Sequence, residues 1–248
     1  MCGGSLSNFL NLPVSVPPAV IIGKILPTLN KNKRAALFNL SYVGLPPNIS
    51  KDDLDYDAQV ALAITQTNGI AAGTRDVGVF PNISRMNHGC SRAFNAVYSW
   101  REREQKMVVY AIRPIKQGQE ILTSYFDTRR PRSERRFVRL SVSPFHKLGT
   151  LTPRVLLYRA YLQDHYDFRC SCEVCSLPDE VSATSDERLS RMQNMQNELA
   201  AWAQGQIDGE KAIHLINEIW WVGSLEKYWS QRGRLAADAV MVALAHSE

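Results

Sequence analysis

The sequence predicts an α+β fold in which a β-rich middle of short antiparallel strands lies between helical segments and ends in an α-helical C-terminal tail. Three observations carry this expectation. Apolar residues recur at helical spacing towards both ends, short β-type runs broken by charged turns fill the stretch near 95–125, and a tight cysteine cluster at 170–175 separates the strands from the tail.

Residues 1–24 are small, apolar and rich in Pro and Gly, with no sustained period. Residues 25–42 carry Leu29, Ala36, Leu37 and Leu40 at helical spacing and predict a helix. Residues 44–50 (GLPPNIS) read as a turn. Residues 52–67 predict a second helix, because the acidic run DDLDYD suits the positive end of a helix dipole. From Gly78 the texture turns to β. The runs 95–100 (NAVYSW) and 106–112 (KMVVYAI), separated by RERE, predict an antiparallel hairpin, and the turn-rich 113–120 leads into a short strand at 121–125. Beyond Leu177-Pro178, helices are expected at 185–204, 208–222 and 224–246. Trp202, Trp220, Trp221, Tyr228 and Trp229 are read as the packing core of this tail rather than a ligand-binding stripe.

A chain of 248 residues with 45% hydrophobic content can bury a sizeable core, as one large domain or a domain with an appendage. Its 29 Lys+Arg against 24 Asp+Glu leave +5, which suits an acidic partner but falls short of a nucleic-acid footprint. The densest basic run, Arg129 to Arg136, is read as a solvated helix face. The apolar stretch 12–26 is interrupted by Pro13, Pro17, Pro18 and Lys24 and falls short of the roughly 20 residues a membrane span needs. No basic region, apolar run and small-residue cleavage site follow one another at the N-terminus. An intracellular protein of the nucleus and/or cytoplasm is therefore expected, with the sequons at Asn39, Asn48 and Asn82 as chance matches.

Cysteine is the informative part of the composition. Cys170-Ser-Cys172-Glu-Val-Cys175 puts three thiols in one loop, and in a reducing compartment such a cluster points to a metal. Zinc takes four ligands in a tetrahedron, so a fourth is needed. Cys90 would complete an all-cysteine site, His88 and His165 are the other candidates, and Cys2 is the spare. With four protein ligands the metal keeps no open position for water or substrate. It would act as a structural clasp between the β core and the segment after it.

Three motifs now occur in order. Asn87-His88-Gly89-Cys90 resembles the NHSC signature of SET domains. The run from Gly118 through Glu120 and Tyr125 to Asp127 resembles their GEEI…SY.D motif, and Phe168-Arg-Cys170-Ser-Cys172-Glu-Val-Cys175 resembles their post-SET F.C.C..C. The resemblance covers roughly residues 60–178 and is closest to the fungal and MYND-associated branches, without a MYND finger. It implies a β-rich SET fold of β-clip type with a helical insert, a zinc-binding post-SET loop and the helical tail. It also implies transfer of a methyl group from S-adenosylmethionine to the ε-amine of a lysine in a histone or other protein. On this resemblance Tyr125 is the catalytic tyrosine and Tyr166 a second wall of the lysine channel. Asn87 and the backbone of His88 hold the cofactor with Asn68 and Ser84, while Phe168 stacks on its adenine. Cys90, Cys170, Cys172 and Cys175 hold structural zinc.

Two departures set further expectations. The family's glycine-rich cofactor loop has no counterpart, Gly3-Gly4 lying in a featureless start. Residues 137–159, without any acidic residue, interrupt what would otherwise be one helix and read as an inserted segment, such as a retained intron translated in frame. A smaller one is Gly89 where the family has serine. The organisation expected is therefore an N-terminal segment and helical insert at 1–60, a SET core at 61–136, the inserted segment at 137–159, a post-SET region at 160–178 and a helical region at 179–248. That last region is a candidate surface for a protein partner. The rival from another class is a catalytically impaired, zinc-stabilised binding module.

Overall fold

A computed structural model of the chain describes residues 16–74, 76–132, 162 and 166–246. The inserted segment at 137–159, Gly3-Gly4, Cys2 and His165 lie outside the described residues. The chain divides into two units. Within the described residues one takes 16–87, 98–110 and 166–168, and the other takes 88–97, 111–132, 162 and 169–246.

The first unit begins with α1 (Pro18–Ile25), opened by a proline whose fixed φ suits a first helical turn. A short turn at Leu26–Thr28 and the extended Leu29 end it, and Asn30 then starts α2 (Lys31–Phe38) by accepting a hydrogen bond from Lys33 N at 2.9 Å. The helix expected over 25–42 is thus shortened to Lys31–Phe38, and α1 lies ahead of it where no period is visible. The capping side chain of Asn30 wins over the apolar spacing. α3 (Tyr56–Asn68) starts four residues later than the acidic run suggested. Asp53 closes a turn instead, its carboxylate accepting from Ser50 N at 2.8 Å. Ala61 and Ile64 of α3 are fully buried, the first against Ile22 and Leu26, the second beside Leu40 and Val60.

α3 runs directly into β1 (Gly69–Ala72), which pairs antiparallel with β2 (Asp76–Val79) in the register Gly69↔Val79 to Ala72↔Asp76. This hairpin was not foreseen, since its strands are four residues each and Gly69 and Gly78 hide the alternation. The expected hairpin is present as β4 (Ala96–Arg101) and β5 (Lys106–Ala111), joined through Glu102–Gln105.

β3 (Asn87–His88) pairs with β6 (Leu122–Thr123), which is much shorter than the strand expected at 121–125. The tail follows as α4 (Asp179–Leu199), α5 (Gly209–Leu225) and α6 (Arg232–Ala245). α4 opens on Pro178 with Asp179 and Glu180 in its first turn, and Asp208 caps α5 by accepting from Lys211 N at 2.8 Å. Leu189 and Met192 of α4, Ala212, Leu215, Ile216, Ile219 and Val222 of α5, and Leu235 and Val242 of α6 make the core, with Phe94 and Tyr228 packed edge to face against each other. Each large apolar side chain so buried is worth about 1.5–3 kcal/mol.

The tail aromatics correct the expectation in part. Tyr228 is buried, but Trp220 and Trp221 are 39% and 54% exposed, because the buried stripe of α5 runs through Ile219 and Val222 and leaves them off it. Arg232 lies over Trp220 and Trp229, 4.7 and 3.9 Å from the ring centroids. The basic run is corrected over 129–132, its remainder at 133–136 lying outside the described residues. Arg129 and Arg132 keep only 11% and 17% of their side chains exposed and pair with Asp127 and Asp179, so they are no solvated face. No helix among the described residues is long and apolar enough to cross a membrane.

Candidate functional site

A tight backbone winding gathers three thiols in the second unit. Ser176 N donates to Cys172 O at 3.0 Å and Ser176 Oγ to Ser171 O at 3.0 Å, over the buried Val174. Cys90 arrives from a different turn. Gly89 N donates to Thr123 O at 2.8 Å before it, and Ala93 N donates to Cys90 O at 2.6 Å after it. Ser91, at φ +24°, holds an uncommon backbone conformation there and donates from its N–H to Thr128 Oγ1 at 3.1 Å. Thr128 is in turn hydrogen-bonded to the hydroxyl of Tyr228, a phenol whose burial pushes its pKa up.

Cys90 Sγ stands 3.9 Å from Cys170 Sγ and 3.6 Å from Cys175 Sγ, and the four Sγ atoms, Cys172 included, lie within 4.8 Å of one another. Four sulfurs held tetrahedrally at about 2.3 Å from one metal would be about 3.8 Å apart. The spacing and the all-sulfur chemistry of this largely buried set therefore fit a closed tetrahedral metal centre. Crowding also splits the thiols. Hydrogen bonding from Cys170 pulls Cys172 and Cys175 down towards thiolate, while hydrogen bonds with the neighbouring sulfurs, Cys170 for one and Cys172 for the other, push Cys90 and Cys170 up. A divalent cation among them would let all four ionise.

His88 is not among the four sulfur ligands but lies beside them. Its buried imidazole places Nε2 3.3 Å from Cys90 Sγ and accepts at Nδ1 from Tyr125 N at 3.2 Å. The ring is stacked on Phe126, with centroids 4.9 Å apart at 18°, and tilted against Tyr125 at 5.3 Å. Of His88 the resemblance implied backbone contacts alone, and Phe126, Thr128 and Tyr228 were not singled out as site residues. Phe126 had a signal, being next to Tyr125 in the motif, whereas Thr128 and Tyr228 had none. Asp127 follows, gripped by Arg129 through Nε at 2.8 Å and Nη2 at 2.6 Å. Burial alone would raise its carboxyl, but the Arg129 guanidinium holds it below the usual carboxylate range.

Gly89 has a steric cause. A Cβ there would stand 2.9 Å from Phe94 N and 3.1 Å from Ala93 C, both backbone atoms, so the turn at Ser91–Ala93 leaves room for glycine only.

The remaining residues named from sequence lie in the first unit. Ser84 Oγ donates to Asn68 O at 3.2 Å, and Asn68 Nδ2 donates to Ser41 O at 2.7 Å and Ile64 O at 2.9 Å, tying the end of α3 to the segment after α2 and to the turn at Ser84. Asn87 is exposed on β3. The rings of Tyr166 and Phe168 lie 6.4 Å apart, tilted by 59°, around Asp167 at φ +54°. The structure thus joins Asn68 with Ser84, Tyr166 with Phe168, and His88 and Tyr125 with the cysteines.

A family model described as SET domain matches residues 20–126. The chain is 32% identical over 133 residues to the histone-lysine N-methyltransferase set5 of Schizosaccharomyces pombe, covering 53% of this chain and 31% of that protein. It is 25% identical over 156 residues to human N-lysine methyltransferase SMYD2, covering 61% and 28%, and 24% identical over 194 residues to the mouse histone-lysine N-methyltransferase Smyd1, covering 70% and 35%. The chain spans about a third of the length of these relatives. The match begins at residue 20, well before the core expected from 61, and contains both the Asn87–Cys90 signature and Tyr125. Over residues 20–126 the chain is therefore similar to SET domains.

Proposed function

We propose that this chain transfers a methyl group from S-adenosylmethionine to the ε-amine of a lysine in a protein substrate. The observation that carries the reading is the SET match itself, which encloses Asn87-His88-Gly89-Cys90 and the run to Tyr125 in family order. Relatives named for lysine methylation support it and do not favour the rival of a binding module without catalysis.

S-adenosylmethionine supplies a methyl on a positively charged sulfur, together with a charged amino-acid end and a flat adenine. The donor set suits those parts. Asn87, Ser84, Asn68 and the His88 backbone offer amide and hydroxyl groups for the polar end, and Phe168 offers an aromatic face for the base. Asn68 spends amide hydrogens on Ser41 O and Ile64 O, so its Oδ1 is the atom that would meet a ligand. Tyr125 and Tyr166 would wall the lysine channel. Displacement at a methyl needs nitrogen, carbon and sulfur in line, and holding them so supplies much of the acceleration. An aromatic channel also disfavours the charged ammonium and leaves the neutral amine as nucleophile.

Zinc on Cys90, Cys170, Cys172 and Cys175 would be structural, as four protein sulfurs keep no open position. In this reading 137–159 is an inserted segment, 160–178 the post-SET region and 179–248 a helical surface open to a protein partner. The sulfur cluster suits a reducing compartment, the nucleus or cytoplasm. Titration of the zinc-loaded chain with S-adenosylmethionine in a calorimeter tests the pocket. Saturable binding, weakened at least tenfold in Asn87→Ala, is expected; no heat from folded, zinc-loaded protein would overturn the reading.

A further inference from the structure

We propose that His88 is a positioning residue: its imidazole is a strut that ties the cysteine cluster, at Cys90 Sγ, to the backbone of the proposed catalytic Tyr125. The proposal rests on the reading of Tyr125 given above for its purpose, but its geometry lies wholly within the second unit.

The two contacts have a direction. Tyr125 N is a donor, so Nδ1 at 3.2 Å must accept and carries no proton. In the neutral ring the proton is then on Nε2, which points at Cys90 Sγ from 3.3 Å. A metal-bound thiolate is an acceptor, so an N–H···S hydrogen bond completes the link, of the kind that orients ligand atoms from just outside a metal's own shell. Both ends are rigid. Cys90 is fully buried between Gly89, which cannot take a side chain, and the bent backbone at Ser91, while the stack on Phe126 fixes the plane of the ring. Because Tyr125 and Phe126 are adjacent, the ring holds that segment twice, once by the amide and once by its face. Loss of the metal would remove the acceptor at Nε2 and loosen the backbone that aims Tyr125. The cluster, which joins Cys90 to Cys170 across 80 residues, would in this way govern the tyrosine as well as the fold.

Two substitutions separate the arms. In His88→Asn the amide oxygen stands where Nδ1 stood and can accept from Tyr125 N, but nothing reaches the sulfur. In His88→Gln the longer side chain places an amide N–H near the former Nε2 position and forfeits the geometry at Tyr125 N. Three readouts are taken on the full zinc-loaded chain without S-adenosylmethionine, so that failure of methyl transfer leaves them untouched. Long-range proton–nitrogen NMR of the unsubstituted protein is expected to show the Nε2–H tautomer. Zinc release to a chromogenic chelator is expected to quicken about 10–100-fold in His88→Asn and far less in His88→Gln. Hydrogen exchange of the Tyr125 amide is expected to rise on the order of tenfold in His88→Gln and far less in His88→Asn. The Nδ1–H tautomer would overturn the proposal, as would equal changes in both variants or no change in either. Loss of zinc stoichiometry in His88→Asn at saturating metal would overturn it too, by making His88 a ligand.

Discussion

Cys90→Ser should destabilise the chain far more than Cys172→Ser, although both remove one sulfur from the same cluster. Cys170, Cys172 and Cys175 are neighbours in one turn, whereas Cys90 joins that turn across 80 residues. Treating the metal as a cross-link, closing a loop of that length restricts the unfolded chain by about 4.5 kcal/mol. Without Cys90 the other three sulfurs close only their own turn, and this contribution vanishes. Without Cys172 three sulfurs including Cys90 remain, 3.9 and 3.6 Å apart in two of their pairs, and at saturating zinc the long link survives with weaker affinity. Spread over a chain of this size the difference corresponds to on the order of 10 °C in Tm. Calorimetric unfolding with excess zinc, repeated with a chelator, reads it directly. Equal Tm losses in the two variants, or a Cys90→Ser protein as stable as the parent in zinc, would refute the clasp. In chelator the parent should fall to the level of Cys90→Ser.

Gly89→Ala, and equally Gly89→Ser, should cost about 1–3 kcal/mol in chemical denaturation, since the new Cβ meets the backbone of Ala93 and Phe94 at 3.1 and 2.9 Å; an unchanged midpoint would contradict the close approach. In the tail, Glu226 is 2% exposed and accepts from Ser185 Oγ at 2.6 Å and Arg188 Nε at 2.5 Å. Arg188→Ala should cost about 2 kcal/mol after allowance for the one-third exposure of the arginine, and the double replacement Arg188→Leu with Glu226→Leu should recover most of it by denaturant titration. Asp127, held below the usual range by Arg129, contributes stability above its ordinary value of 3.8 that is lost as pH falls below it. An Arg129→Gln variant should therefore differ most from the parent near neutral pH and converge on it in acid, which pH-dependent denaturation will show.

The parts legible in the sequence were those carried by periodicity or by chemically distinctive spacing. The hairpin of Ala96–Arg101 and Lys106–Ala111 announced itself through β-branched and aromatic runs around a charged turn, and the tail through its apolar repeat. The cysteines told most, because C-x-C-x-x-C has few other uses and Cys90 was the natural partner. Where a single side chain decided the local geometry, the pattern misled. Asn30 restarts a helix inside an apolar repeat, and Asp53 turns an acidic run from helix start into a turn. The hairpin at Gly69–Val79 escaped because glycines with little alternation look like loop. Trp220 and Trp221 read as core from their size, but only register against Ile219 and Val222 says which face of α5 they occupy. The His88 strut was out of reach for the same reason, as it depends on where Tyr125 N and Cys90 Sγ meet in space.

The most direct test of the central claim is methyl transfer itself. The zinc-loaded chain is incubated with methyl-labelled S-adenosylmethionine and a mixture of histones and cell-extract proteins, and the modified residue is located by mass spectrometry. The account predicts label on a lysine ε-amine, sharply reduced by Tyr125→Phe and by Asn87→Ala. Label on no acceptor from folded, cofactor-binding protein, or transfer indifferent to Tyr125→Phe, would contradict it.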